Sequence, residues 1–201
     1  MRVRSLLFTA ALFAVAGCTT SSVSAPVTAA PGMVSAADPR AAAAGAEILR
    51  QGGSAADAAF ATLLALNVVE PQSSGIGGGG FLVYSQGGRD PVTYDGRETA
   101  PAAATGTYLF RDGQPMAFSD ARPGGKSVGV PGNIRMMAEA HAKHGKLPWS
   151  ALFQPAIRLA RDGFQVTPRL YNALSSENGV GGNSPQARGI LFGPDGNRLD
   201  A

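Results

Sequence analysis

The stretch from Ser54 to Pro71 restricts the possible folds more than any other part of the chain. Ser54 carries a hydroxyl that can cap a helix, Asp57 stands three residues on to complete a capping box, and Pro71 stops the pattern. From Ala58 to Val69 the residues are almost wholly apolar. A helix that is apolar on most of its sides has to be buried. Asp57, Asn67 and a length short of the ~20 residues of a bilayer span argue against a membrane helix.

The flanking segments carry the signals of further elements. Asp38 is a good N-cap and Pro39 a good first residue for a helix over about 39–51, ended by Gly52-Gly53. Met33 to Ala36 reads as a short strand. Past a glycine run, Phe81 to Ser85 is expected as a strand, Gln86 to Arg89 as a hairpin-like turn, and the residues near 91–94 as a second strand. Val128-Gly-Val-Pro131 opens a helix that ends at Gly145. Pro148 opens another that reaches Gly163, with Pro155 kinking or splitting it. Helices thus bracket strands, and a compact α/β body is expected. The low charged fraction, 15%, and the 27 glycines favour close packing and tight turns over a solvated chain. From Ser175 to Ala201 the chain is rich in Gly, Asn, Ser and Pro, shows no element that would close a domain, and is expected to stop mid-fold.

The first residues read as an address. Met1 to Arg4 is a basic region, Ser5 to Ala16 an apolar run too short to span a bilayer comfortably, and Val15-Ala16-Gly17-Cys18 resembles the lipobox of bacterial lipoproteins. Residues 1–17 are therefore expected as a signal peptide and Cys18 as the lipidated first mature residue. Residues 18–32 form an uncharged tether, and 33–201 a partial domain. Cys18 is the single cysteine, so no intrachain disulfide is possible. Of 17 basic residues, Arg2 and Arg4 leave with the leader, so 15 face 14 acidic ones and the balance is +1. Nucleic-acid binding would need clustered Lys and Arg, and none is expected. The expected location is the bacterial envelope, with Thr19 after Cys18, rather than Asp, favouring the outer membrane facing the periplasm.

Three patterns suggest chemistry that their context does not support. Gly75-x-Gly77-x-x-Gly80 matches a dinucleotide fingerprint, with Asp95 as a conceivable ribose-binding acid, yet a helix precedes it and a strand follows. That is the reverse of the order needed to set a pyrophosphate at a helix N-terminus. Gly125-Lys-Ser127-Val-Gly129 fits a nucleophile elbow in letters, but no hydrophobic strand leads into Ser127 and Pro131 delays the helix. A phosphate loop would need glycine where Asp120 stands. His141 and His144, the only histidines, lie near a helix C-terminus, where cations are favoured, and are expected at the surface. No metal ligand set is evident.

Six segments follow one another with compatible gaps: Gly32-Met-Val-Ser35, Ala46 through Ala59, Gly75-Ile-Gly-Gly-Gly-Gly-Phe81, Tyr94-Asp-Gly-Arg-Glu-Thr-Ala-Pro101, Ser127-Val-Gly-Val-Pro-Gly132 and Ala156 through Phe164. Jointly they resemble the large subunit of the gamma-glutamyltransferase family, over about Gly32 to Leu170. The resemblance implies an α/β (α+β) N-terminal-nucleophile hydrolase fold, an αββα sandwich of two stacked sheets between helical layers. This chain would be an incomplete part of it. It also implies a precursor that cuts itself into two subunits, the small one carrying the catalytic threonine, and a γ-glutamyl substrate such as glutathione. No cofactor and no metal ion are implied. No catalytic residue is expected in this chain, since Thr19-Thr20 lies in the tether.

Arg97 matches the family arginine that grips the α-carboxylate of the γ-glutamyl group. A guanidinium presents paired donors in a planar fork that suits a carboxylate. Without the resemblance, Arg97 reads equally as one half of a structural ion pair with Glu98, Asp95 or Asp57. Gly96, where some relatives carry an aromatic residue, is expected to leave the local loop more open. Two other readings share the evidence: a related acylase or γ-polyglutamate transpeptidase of the same fold, in which Arg97 still holds a carboxylate, and a catalytically inactive envelope lipoprotein.

Overall fold

The computed structural model describes residues 32–122, 124–175, 188–189, 192–195 and 197, all within the unit Pro31–Ala201. The expected signal peptide, Cys18, the expected tether up to residue 31 and most of the segment after Ser175 lie outside the described residues. Helix α1 spans Pro39–Arg50, with Asp38 Oδ1 accepting from the Arg40 backbone N–H at 2.8 Å. Helix α2 spans Ala55–Val69 and opens with the full capping box: Asp57 N donates to Ser54 Oγ at 3.1 Å, and Ser54 N donates to Asp57 Oδ2 at 2.9 Å.

Helix α2 is buried, as its composition requires. It packs against α1, against α4 (Asn133–His144) and α5 (Gln154–Asp162), and against a 3-10 turn at Trp149–Phe153. Phe60, Leu64, Ile48, Met137 and Leu152 form the centre of the core. Each such side chain contributes about 1.5–3 kcal/mol when fully buried. Pro155 does split the expected 148–163 helix: it falls in the first turn of α5, where a missing N–H breaks no helical hydrogen bond. Helix α6, Pro168–Ser175, is tied to the end of α2 by Arg169 Nε, 2.7 Å from Oε2 of the buried Glu70.

Strands β1 (Phe81–Tyr84) and β2 (Val92–Asp95) pair antiparallel, with Phe81 opposite Asp95 and Tyr84 opposite Val92. Leu82, Tyr84 and Tyr94 face the core, while Phe81 and Val83 are 64% and 65% exposed. A second ribbon of two-residue strands, β3 (Phe110–Arg111) and β4 (Gln114–Pro115), turns at Asp112 and Gly113, both with positive φ. The short helix α3 follows at Phe118–Ala121. No helix among the described residues is long and apolar enough to cross a membrane.

Three expectations need correction. Met33 to Ala36 is not a strand: no described segment pairs with it, and Val34 packs on the core from an irregular stretch. Helix α4 starts at Asn133 rather than near Val128, because Val130 and Thr99 exchange backbone hydrogen bonds of 2.8 and 3.3 Å. The histidines are not surface residues. His141 is 19% exposed, with Nε2 2.9 Å from Leu147 O and 3.5 Å from Asp57 Oδ1. His144 stacks on Tyr84 at 3.8 Å and shares a 2.8 Å hydrogen bond with the Tyr94 hydroxyl.

Candidate functional site

Arg97 sits two residues past β2, in a segment held at both ends. On one side Gly80 and Gly96 exchange backbone hydrogen bonds of 3.2 and 2.9 Å; on the other, Thr99 bridges Val130. Asp95 Oδ1 accepts from the Arg97 backbone N–H at 2.9 Å and shapes the turn between them. The glycine run is fixed in turn by α4: Asn133 Nδ2 donates to Gly75 O at 3.1 Å and Asn133 N to Gly78 O at 3.2 Å. Gly96 does not open this loop. A Cβ there would lie 2.6 Å from Met136 Cβ, so the backbone itself packs against α4.

The Arg97 side chain is 71% exposed. Its one ionic contact among the described residues is loose, 3.5 Å from Nε to Glu98 Oε2, and its terminal amino groups have no partner there. Of the three acids weighed as structural partners, Asp95 is engaged with the backbone. Asp57 belongs to another neighbourhood, where its Oδ2 accepts from Lys146 N at 2.8 Å and Leu147 N at 3.1 Å. Burial raises the Asp57 pKa, but the N–H donors of Ser54, Lys146 and Leu147 outweigh it and hold the carboxyl below its ordinary value.

Arg97, Glu98 and Thr99 line a cleft of about 670 Å³ together with Tyr108, Lys126 and Ser127. Ser127 is not an elbow nucleophile: it ends a 3-10 turn rather than a strand, and its hydroxyl lies 2.6 Å from Arg122 O and 3.0 Å from Gly124 O. The glycine fingerprint likewise follows α2 and leads into β1 rather than into a helix, and the α4 N-terminus beside it is engaged by Gly75 O and Gly78 O. Among the described residues no three His, Cys, Asp or Glu side chains gather as a metal site. The cleft can therefore hold an anionic group, while no described residue in it pairs a nucleophile with a base. Sequence reasoning overlooked Glu98 and Lys126 as lining residues, although an acid directly after Arg97 in a segment flanked by glycines was a visible signal.

This frame is that of the N-terminal-nucleophile hydrolases, to which the described residues contribute helices and an antiparallel ribbon. The solved gamma-glutamyltranspeptidase of Helicobacter pylori superposes with a TM-score of 0.79 at 30% identity, over 85% of this chain and 49% of that one. The family model described as gamma-glutamyltranspeptidase matches residues 41–200. The chain belongs to the gamma-glutamyltranspeptidase family. Scoloptoxin SSD14 from Scolopendra dehaani is 49% identical over 152 residues, 75% of this chain and 26% of its own length. The glutathione hydrolase proenzyme of Bacillus subtilis is 44% identical over 146 residues, 72% of this chain and 25% of its own length. The chain thus spans about a quarter of the length of the curated relatives it matches.

Proposed function

We propose that this chain is the N-terminal part of a hydrolase and transferase of γ-glutamyl amides such as glutathione, and that Arg97 grips the α-carboxylate of the γ-glutamyl group. The observation that carries the reading is the Arg97 guanidinium, fixed at its backbone, open at its terminal amino groups and placed on the cleft. Family membership supplies the rest of the scheme. A threonine freed elsewhere in the same precursor attacks the γ-amide carbonyl, aided by its own amino group, and water or an amino acid then takes the γ-glutamyl group from it. The word proenzyme in the name of the Bacillus subtilis relative supports such processing. So does the bare apolar face of Phe81 and Val83, which suits contact with another polypeptide segment.

The test is kinetic. In the whole gene product, Arg97→Ala is expected to lower kcat/KM for γ-glutamyl substrates by roughly 2–4 kcal/mol, as when one member of a charge pair loses its partner. Unchanged kinetics would sink the assignment.

The proposal extends to location: a lipoprotein of the bacterial envelope, held at the outer membrane and facing the periplasm through a lipid on Cys18. The motif at Val15–Cys18 and the uncharged tether support it. Mass and N-terminal sequence of the chains purified from envelopes would test it. A lipid-shifted chain beginning at Cys18 is expected, beside a second chain beginning with threonine. An unmodified chain that retains Met1 would remove the anchor from the scheme.

A further inference from the structure

The γ-glutamyl reading uses Arg97 and leaves a second part of the cleft wall unexplained. That part is built from the β3–β4 ribbon, α3 and the 3-10 turn at Gly125–Ser127. Its backbone is fixed: Met116 N donates to Leu109 O at 2.9 Å, and the Ser127 hydroxyl ties the turn to Arg122 O and Gly124 O. Tyr108, Leu109, Phe118 and Val128 line the cleft and all stay exposed, Phe118 by 75%. Apolar side chains gathered on one cleft and open to water mark a place that something covers. The charges there do not balance. Arg97, Arg122 and Lys126 face one acid among the described lining residues, Glu98. Glu98 is held beside Arg97: its Oε2 is buried, accepts no hydrogen bond and lies 3.5 Å from Arg97 Nε, and a Cβ on Gly79 would stand 2.7 Å from it. Asp120, in α3, lies 3.8 Å from Arg111. Lys126 is exposed and has no hydrogen bond or ion pair among the described residues.

We infer that this wall is the subsite for the amine half of the γ-glutamyl amide, and that it selects an amino acid or short peptide with an apolar side chain and a free carboxylate, Lys126 taking the carboxylate. The inference rests on the γ-glutamyl reading above and specifies the other half of the substrate. At about 670 Å³ the cleft has the size that holds a whole small molecule rather than one head group. A γ-glutamyl head group is a zwitterion and adds no net charge. The excess of cations therefore remains once it has bound, and a carboxylate on the amine half relieves it. A lysine suits that task, because its point charge on a flexible stem meets a carboxylate from several directions. In transfer, the accepting amine arrives where the first amine left, so one wall selects both. The incoming nitrogen bonds to the γ-carbonyl carbon as the ester bond to the threonine oxygen breaks, and the proton that the nitrogen loses passes to that oxygen.

Turnover by the whole gene product of L-γ-glutamyl-L-phenylalanine and of L-γ-glutamyl phenethylamide, which differ by the carboxylate alone, tests the subsite. The first is expected to show a kcat/KM about three- to fivefold higher, the worth of one exposed charge pair, and the margin should shrink as salt is raised. Lys126→Met, which keeps most of the stem and removes the charge, should bring the two donors to parity. L-γ-glutamyl-L-alanine should trail the phenylalanine donor, and Phe118→Ser should narrow that gap. Parity of the first two donors in the unsubstituted protein overturns the carboxylate site and shows the wall to be covered by something else; this comparison needs no variant to fold. An undiminished margin in Lys126→Met overturns the role of Lys126, and equal turnover of the alanine and phenylalanine donors removes the apolar side chains from the subsite. Turnover of none of these donors would sink γ-glutamyl transfer itself. Calorimetric titration with N-acetyl-L-phenylalanine and N-phenethylacetamide then decides the subsite. Tighter binding of the acid, lost in Lys126→Met and kept in Arg97→Ala, leaves it standing; equal binding of both, or a preference lost only in Arg97→Ala, overturns it.

Discussion

Asp57 joins two parts of the chain that the sequence keeps about ninety residues apart. Its backbone and side chain close the capping box of α2, and the same Oδ2 accepts from the backbone N–H groups of Lys146 and Leu147. The side chain is fully buried, and His141 Nε2 stands 3.5 Å from its other oxygen. Asp57→Ala would strand three N–H groups at once and is expected to destabilise the whole gene product by about 3–5 kcal/mol, read from the midpoint of denaturant unfolding. A loss of about 1 kcal/mol would mean that Asp57 acts as a helix cap and nothing more. The cap itself was legible, because Ser54 and Asp57 stand at the right spacing. The reach to Lys146 and Leu147 was not, because nothing local to Asp57 marks the loop after α4. Arg97 shows the same division: its chemistry is plain from the residue type, while its choice among three candidate acids depended on the fold, which engages Asp57 and Asp95 with backbone N–H groups and leaves Glu98 beside it.

Among the elements, those with strong local grammar were readable. Both α1 and α2 begin at their caps and end within a residue of the glycines or proline that stop them. The β1 and β2 strands flank a turn in which Arg89 N donates to Gln86 O. The elements that were misread depend on partners. The segment at Met33–Ala36 has strand-like residues but no described strand beside it, and strand propensity without a ladder decides little. The hairpin of β3 and β4 and helix α6 went unseen because one is only a turn with two paired residues on each side and the other is held by Arg169 on Glu70. The close contact of α1 with α2 depends on Gly45. A Cβ there would stand within 3.0 Å of the Ala58 carbonyl and against Thr62, so the glycine is a packing residue inside a helix it would otherwise weaken.

At the scale of the whole molecule the buried acids set the response to pH. The Arg40 guanidinium holds Asp38 below its ordinary 3.8, with burial opposing it, and the donors around Asp57 do the same for that carboxyl. Both groups have folded-state values below the unfolded one. The stability they supply is complete above pH 3.8 and is lost as the pH falls through the depressed values. Thermal unfolding of the whole gene product should therefore be insensitive to these groups near neutrality, and its Tm should drop progressively from about pH 4 downward. A Tm that stays level from about pH 5 to pH 2 would contradict the assignment. The exposed pair of Arg161 and Asp162 adds little to this, because solvent screens it.

What the sequence by itself determined is the buried helix between Ser54 and Pro71, the caps around it, the order of helices and ribbon, and the family to which the chain belongs. These follow from residues close in the chain, where spacing and side-chain type carry the physics. The tertiary structure alone decided that the two histidines pack inward, that Gly96 closes its loop instead of opening it, and that a carboxylate oxygen of Glu98 lies buried beside Arg97 without a donor. Each of these depends on what a distant segment places against the residue: Leu147 against His141, Met136 against Gly96, and the glycine run against Glu98.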